Sequence, residues 1–491
     1  MNDSNGYEAV IGLEVHIQLT TRTKAFCGCS TRFGDAPNTN TCPVCLGYPG
    51  ALPVANREMI SMAIALGLAT GCTIHHRSVF VRKHYFYPDL PKGYQISQYE
   101  DPICTDGTVD IELDDGTRKP VRIRRIHIEE DAGKSLHDIA TETLIDLNRC
   151  GVPLLEIVTE PDLRTPAEAH AFLVLLRKIV TYLEICDGNM EEGSLRCDAN
   201  VSVRPAGSRE MRTKTEIKNL NSFRNVERAL GYEIHRHAEL LRQGESPESE
   251  TLLWDAVRNL TVPLRGKEES PDYRYFPEPD LPPVVLDDAW IERVRAALPE
   301  LPLARRDRFI ANYGLSRYDA DILTAEKPLA DFFEHTVAGL KRRLPEDFKT
   351  ACNWVTGDFT RMLRERKRPI TDPPLSPAAL AELLDMLIEG TISGKMAKQI
   401  LEEAADTGVH PREIVGRSGA AQLTDEGFLS TLIDSVLREN EPSVRKYLGG
   451  RENVFGFFVG QVMKATQGRA NPELVNRILR EKLDERKKCH E

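Results

Sequence analysis

The chain has 491 residues with 64 Lys and Arg against 75 Asp and Glu, a formal charge of −11, and 41% hydrophobic residues. That length calls for more than one domain. No apolar run approaches the roughly 18 residues of a spanning helix, and the N-terminal MNDSNGYEAV lacks the basic and apolar regions of a signal peptide, so a cytoplasmic protein without membrane attachment is expected.

The charge is uneven: residues 411–491 carry +2 and the remainder −13. This argues against a protein coated in nucleic acid, and an acidic majority of this kind calls for bound cations.

In chain order, residues 13–19 alternate strictly, with Leu13, Val15, Ile17 and Leu19 on one face and Glu14, His16 and Gln18 on the other. This predicts a half-buried strand with a carboxylate and an imidazole side by side. Next come Cys27-Gly28-Cys29 and Cys42-Pro43-Val44-Cys45, with turn formers between them. Four of the eleven cysteines fall within these 19 residues. Two short knuckles with four thiols match a structural zinc site, with unbound thiols or a redox pair as the alternatives.

Helical spacing covers 57–70, and the loop from Arg82 to Pro102 interleaves Tyr85, Phe86, Tyr87, Tyr94 and Tyr99 with Arg82, Lys83, His84 and Lys92. Such a mixture stacks on bases and holds phosphates, or packs the loop on its own domain. Asp114 to Thr117 forms a hairpin turn between two strand-like runs. The run ending in HIEED puts His127 and Glu129 on one face, and in PLLEIVTE Glu156 and Glu160 share one. AGKS at Ala132 to Ser135 lacks the first P-loop glycine, because Ile128 stands there. KMAKQ at Lys395 is no better supported as a nucleotide motif.

Helices are expected at 166–182 and 222–241, the first opened by Thr165-Pro166. A strand from 195 to 203 presents Arg196, Asp198 and Asn200 together. DGNMEEGS (187–194) and TEIKNLNSF (215–223) read as polar ligand-contacting loops. Proline- and acid-rich text at 276–302 marks a boundary, and beyond it the chain is helical, with breaks at 368–377 and near His410-Pro411.

The expected class is α+β: a mainly antiparallel cradle domain over 1–294, an all-helical domain over 295–408 and a helical tail over 409–491. If the four strands pair, Glu14, His16, Glu129 or Glu130, Glu156 and Asp198 converge. Converging carboxylates repel unless a cation sits among them, and oxygen ligands with one imidazole suit Mg²⁺. A solvated polar sheet face is the other reading.

The strings VIGLEVHIQL, NTNTCPVCLGYPGALPVAN, RKHYFYPDLPKGYQISQ, HIEEDAGKS, DLNRCGVPLLEIVTEPDLR, MEEGSLRCDANVSVRP and TEIKNLNSF together strongly resemble the B-subunit family of tRNA-dependent amidotransferases. The resemblance runs along essentially the whole chain. It implies a cradle that uses ATP and Mg²⁺ to phosphorylate the side-chain carboxylate of Glu on tRNA(Gln) or Asp on tRNA(Asn), and a helical tail that contacts the tRNA. It also implies two protein partners: a glutaminase, the A subunit of such complexes, which supplies ammonia, and a small C subunit that joins the other two.

The family's metal-binding acidic residues fall on Glu14, His16, Glu129 or Glu130, Glu156 and Asp198. Some members lack the four cysteines, which makes Cys27, Cys29, Cys42 and Cys45 a structural zinc site here. Lys83, Lys134 and Arg196 are the cations expected to offset the repulsion between two anions. Tyr85 and Tyr87 are expected at the nucleotide. Neither a nucleophile elbow nor the Ser-Ser-Lys pattern of amidases is present, so a partner must make the ammonia. A non-catalytic zinc-containing RNA-binding scaffold is the alternative.

Overall fold

The computed structural model describes residues 6–136, 142–264, 272–418, 426–466 and 470–488. The chain forms two compact units, residues 1–302 and 303–491.

The first unit is built from β1 (Tyr7–Gln18), β2 (Thr73–Ile74), β3 (Arg77–Ser78), β4 (Val81–His84), β5 (Tyr94–Ser97), β6 (Cys104–Glu112), β7 (Arg118–Glu130), β8 (Lys134–Leu136), β9 (Leu144–Asp146), β10 (Pro153–Thr159), β11 (Leu195–Pro205), β12 (Thr215–Leu220), β13 (Glu250–Asp255), β14 (Leu260–Pro263), β15 (Phe276–Pro277) and β16 (Val284–Val285). Nine of these form one sheet in the order β14-β13-β12-β11-β1-β10-β7-β6-β2. Every pair in it is antiparallel except β12 with β13. That pair is joined by a crossover through α3 (Phe223–Arg242), as parallel neighbours require.

Alternation decides which side of the sheet is buried. Ile11, Leu13, Val15 and Ile17 of β1 are fully buried, as are Ile126 and Ile128 of β7 and Cys197, Ala199 and Val201 of β11. Among the elements covering this apolar face are α1 (Arg57–Ala69) and α2 (Pro166–Tyr182). Caps fix where these helices begin: the Asn56 side chain accepts from the amides of Glu58 and Met59, and Thr165 accepts from Glu168, followed by Pro166 at the first turn. The hairpin between β6 and β7 closes on Leu113 to Thr117 with Gly116 at φ +85°.

The second unit is helical among its described residues and holds two apolar cores. One gathers Phe309, Phe333, Trp354, Phe359, Leu380 and Leu401, and Ile414 of the helix Pro411–Ser418 belongs to it. The other gathers Leu429, Ile433, Phe458, Val462, Leu479 and Leu483. Among the described residues no helix is long and apolar enough to cross a membrane.

Candidate active site and cysteine cluster

The four strands that carry acidic residues lie side by side as β11-β1-β10-β7. Register sets the neighbours: His16 stands opposite Glu156 on one side and Arg196 on the other, Glu14 opposite Asp198, and Glu156 opposite His127. Because all of these side chains leave the polar face, they meet.

His16 Nε2 lies 3.2 Å from Glu156 Oε2 and 3.4 Å from Glu129 Oε1. His127 Nε2 lies 3.2 Å from the same Glu156 oxygen. One ligand atom from each of His16, Glu129 and Glu156 can be chosen so that all lie within 4.8 Å of one another. Their side chains are 21%, 3% and 10% exposed, so an ion would have to enter from the His16 side. Two carboxylates and one imidazole in a pocket with one open side suit a hard divalent cation that keeps part of its water.

The electrostatics favour charge here despite burial. Burial alone would raise the pKa of Glu156, but His127 and His16 pull it well below the usual carboxylate range. Burial alone would favour the neutral ring of His127, yet Glu156 and Glu129 push its pKa up to about 9. The same carboxylates raise His16 against its burial. The two rings and the carboxylates between them thus favour one another's charged forms, a role a bound cation would share.

Glu14 and Asp198 form a second group beside the first. Asn200 Nδ2 donates to Glu14 at 2.9 Å, while Lys218 Nζ donates to Asp198 at 2.7 Å and sits 2.9 Å from Glu216. Burial raises the Glu14 pKa, and repulsion from Glu156 and Glu216 adds to it. Burial alone would lower the Lys218 pKa, but Asp198 and Glu216 raise it.

The other predicted residues divide. Glu130 does not join Glu129: it leaves the opposite side of β7, pairs with the Lys92 ammonium, accepts from the Ile96 amide at 2.9 Å and lines a cavity of about 210 Å³ beside Cys45. Adjacent residues of one strand point to opposite faces, so Glu129 and Glu130 could not both converge on His16. Arg196 donates to Asp131 at 2.8 Å, and Gln18 holds the same carboxylate at 2.7 Å, so this guanidinium is committed to an internal pair.

Lys83, on β4, lies 4.9 Å from the Tyr273 ring centroid, within the field of Glu129 and Glu156, and pairs with no carboxylate among the described residues. The Tyr85 hydroxyl donates to Gln95 at 3.3 Å, whereas Tyr87 is 66% exposed. Lys134 is exposed on a separate two-stranded ribbon of β8 and β9. Much of the Arg82–Pro102 loop packs on its own domain: Arg82 donates to Glu278 at 2.7 and 2.8 Å and stacks 4.2 Å over Tyr94, and His84 stacks on Phe276.

Asp131 and Lys218 stand at the site beyond what the sequence led us to expect, and His127, expected on the face of Glu129 but not among the converging ligands, joins the cluster. The signal for Lys218 lay in TEIKNL, which alternates; the segment is β12 and not a loop. Glu160 falls just past the end of β10, where its amide donates to the Arg122 carbonyl.

On the opposite side of β7, the Sγ atoms of Cys27, Cys29, Cys42 and Cys45 lie within 4.8 Å of one another, and Cys42 and Cys45 are 3.9 Å apart. A tetrahedron with metal–sulfur bonds of about 2.3 Å has edges of about 3.8 Å, which fits this spacing. The Cys42 amide donates to Cys45 Sγ at 3.2 Å, and fully buried Lys24 points its ammonium at the same sulfur at 3.7 Å. A hydrogen bond from Cys27 and the Lys24 charge bring the Cys45 pKa down to about 5, while burial and Cys42 push Cys29 up to about 11. One thiolate forms readily while Cys27 and Cys29 hold their protons more tightly, and a dication among the four sulfurs would displace those protons.

Comparison with known proteins agrees along the whole chain. The family profile of the GatB/GatE catalytic domain matches residues 9–292, and that of the GatB domain matches 331–483. The B subunit of the aspartyl/glutamyl-tRNA(Asn/Gln) amidotransferase of Prosthecochloris aestuarii is 54% identical over 98% of this chain and 98% of its own length. The proteins of that name from Chlorobium phaeobacteroides and a Geobacter species are 54% and 55% identical over 97% of this chain and 99% of theirs. With the sheet, the acidic face and full-length identity above half in agreement, the chain belongs to the B-subunit family of the aspartyl/glutamyl-tRNA(Asn/Gln) amidotransferases.

Proposed function

We propose that this protein is the kinase subunit of a tRNA-dependent amidotransferase, a glutamine-dependent carbon–nitrogen ligase acting in the cytoplasm on misacylated Glu-tRNA(Gln), Asp-tRNA(Asn) or both. The observation that carries the reading is the convergence of His16, Glu129 and Glu156, flanked by Glu14 and Asp198, on one face of a sheet in a chain of this family.

A carboxylate is a poor electrophile. Transfer of the γ-phosphoryl group of ATP to a side-chain carboxylate oxygen releases ADP and leaves an acyl phosphate; ammonia then attacks the carbonyl carbon and expels phosphate. The difficulty of the first step is the approach of two anions. Mg²⁺ held by His16, Glu129 and Glu156, and by Glu14 and Asp198, would supply charge neutralisation. Lys83 is the side chain best placed to add a cation, and Lys218 bridges Asp198 and Glu216, orienting the first and offsetting the repulsion between them.

Zinc on Cys27, Cys29, Cys42 and Cys45 is structural in this scheme. Ammonia comes from the glutaminase partner, joined through the small third protein of the complex. The cradle, spanning about 1–294, carries the chemistry; the helical portion about 295–408 connects it to a tail, 409–491, that contacts the tRNA body.

The test is ATP cleavage by the reconstituted complex. Glu129→Gln and Glu156→Gln are expected to lower misacylated-tRNA-dependent ATP cleavage by at least about 100-fold while leaving the partner's glutaminase reaction intact. Undiminished cleavage in the double variant would return the protein to an RNA-binding scaffold.

A further inference from the structure

Asp131 follows β7 directly, and its side chain is 4% exposed. Four groups converge on its carboxylate. Oδ2 accepts from Gln18 Nε2 at 2.7 Å and from Arg196 Nη2 at 2.8 Å, with Arg149 Nε 3.6 Å away, and Oδ1 accepts from the Ala132 amide at 2.9 Å. Gln18 lies on β1, Arg196 on β11 and Arg149 in the turn before β10. One side chain therefore ties two strands and a turn to the end of β7, and a buried carboxylate with this many donors is costly to disturb.

The knot lies one pleat beyond the acidic cluster. Glu129 precedes Asp131 by two residues and His16 precedes Gln18 by two, so on both strands the same face carries a cluster residue and then a member of the knot. Arg196 stands opposite His16 across the pair of β1 with β11. Between β1 and β7 runs β10, whose pairing stops at Gln18 on one side and at Glu130 on the other. Past that end the Asp131 carboxylate links β7 to β1 and β11 directly.

Asp131 is itself held from behind. Its amide donates to the Val152 carbonyl at 2.8 Å, and its carbonyl accepts from the Gly151 amide at 2.8 Å. Arg149 also donates to the carbonyls of Ala132 at 3.0 Å and Gly133 at 2.6 Å. At Gly133 a Cβ would meet Leu147 at 2.8 Å and the Asp89 carbonyl oxygen at 2.9 Å, so a glycine lets the chain pass this close. A group fixed on all sides passes its position on to what it holds. The cluster depends on such precision, because His16, Glu129 and Glu156 come from three strands. Mg²⁺ demands near-ideal octahedral geometry, and a displacement of about 0.5 Å loosens a site of this kind.

We propose that Asp131 is a positioning residue of the phosphorylation centre: by holding Gln18 and Arg196 it fixes the separation of Glu129 from His16, and with it the affinity of the cluster for a divalent cation. It acts through its neighbours, and its own atoms do not belong to the group that could hold the ion. The assignment rests on the metal-binding reading above. It also gives Arg196 a role in the site that needs no contact with a nucleotide.

The experiment titrates Mn²⁺, which suits the same oxygen ligands as Mg²⁺, into the reconstituted complex and follows the free ion by electron paramagnetic resonance. The Mg²⁺ dependence of misacylated-tRNA-dependent ATP cleavage and the thermal midpoint are measured beside it. Asp131→Asn keeps the size of the side chain and removes its charge. It is expected to raise the Kd for Mn²⁺ and the Mg²⁺ concentration for half-maximal cleavage by about 10–100-fold, with the lost cleavage regained as Mg²⁺ is raised. Gln18→Met removes one arm of the knot and should raise both by about threefold or more. Adding Gln18→Glu to Asp131→Asn reverses the hydrogen bond between the two side chains and returns a carboxylate to Arg196, and it should bring both values to within about threefold of the unmodified complex. Unchanged Mn²⁺ affinity in both Asp131→Asn and Gln18→Met overturns the assignment, whatever happens to the thermal midpoint; where Asp131→Asn does not assemble, Gln18→Met alone decides. So does a swap that restores the thermal midpoint but not the affinity, which would make Asp131 a strut and nothing more. If the unmodified complex has no Mn²⁺ site that His16→Ala abolishes, the metal-binding reading itself falls, a failure distinguishable from the others.

Discussion

At Cys45 a single sulfur shows how this protein holds charge in a cramped place. Its thiol is acidic because Cys27 and the buried Lys24 stabilise the thiolate, while Cys29 beside it is held protonated. Four mutually close sulfurs in that state are expected to bind about one equivalent of zinc, measured by elemental analysis of protein purified without chelators. Cys42→Ser should lose the metal and lower the thermal midpoint, by roughly 2–4 °C for each kcal/mol of stabilisation lost. Less than about half an equivalent in the unmodified protein would sink the assignment. The two knuckles were legible as text because their spacing is the constraint. Lys24, three residues before Cys27, was not: a lysine beside a knuckle reads as surface until the fold buries it.

At the scale of elements, strict alternation made β1, β10 and β11 readable and placed Glu14, His16, Glu156 and Asp198 on one face before any pairing was known. It failed where the pattern breaks. β7 carries consecutive Arg124-Arg125 and a register shift against β10, so the side taken by Glu129 and Glu130 depends on where the bulge falls, which composition does not encode. β12 was hidden by Asn219, a residue type strands disfavour, which sits at φ +63°, and by Asn221 just beyond its end. Its neighbour α3 brings a testable case. Glu233 is fully buried and accepts from Arg236 and Thr261 beside His237. Burial would raise its pKa, but the hydrogen bonds from His237, Arg236 and Thr261 bring it down to about 2. A carboxyl depressed in the folded state contributes stability above its unfolded pKa of about 4.5 and loses it as pH falls towards 2. Protection of the α3 amides, corrected for the pH dependence of intrinsic exchange, should therefore fall steeply between pH 4.5 and 2. In Glu233→Gln that steepening should vanish, and α3 should be weaker at pH 7 by about 1–3 kcal/mol. An unchanged acid profile would show that another group governs it.

The whole molecule divides its labour. The net negative charge belongs to the portion that carries the acidic face, and the helical unit beyond residue 302 is built on two cores instead of one. Cores that do not share residues unfold with separate dependences. Phe333→Ala and Phe458→Ala, each removing a fully buried ring, should cost about 3–5 kcal/mol apiece and shift different transitions in calorimetry; one common transition moved equally by both would show a single cooperative unit. The α+β class and the helical second half were readable from proline-rich breaks and helical periodicity. Which residues join which core, Ile414 with the first among them, was not, because core membership is a matter of long-range packing that local pattern leaves open.

The strand order β11-β1-β10-β7 also sets a clock. β1 is made first and lies at the centre of the site, yet Glu14 gains Asp198 as a neighbour only after some 180 further residues have been added. At about 5–20 residues per second, the first strand waits roughly 10–40 s on the ribosome with its acidic face incomplete. His16 and Glu14 by themselves offer two ligands, too few to hold a hard cation that prefers six or more oxygens. A cation held by His16, Glu129 and Glu156 would therefore report that β1, β10 and β7 have paired, so loading of the site and closure of that side of the sheet would be one event.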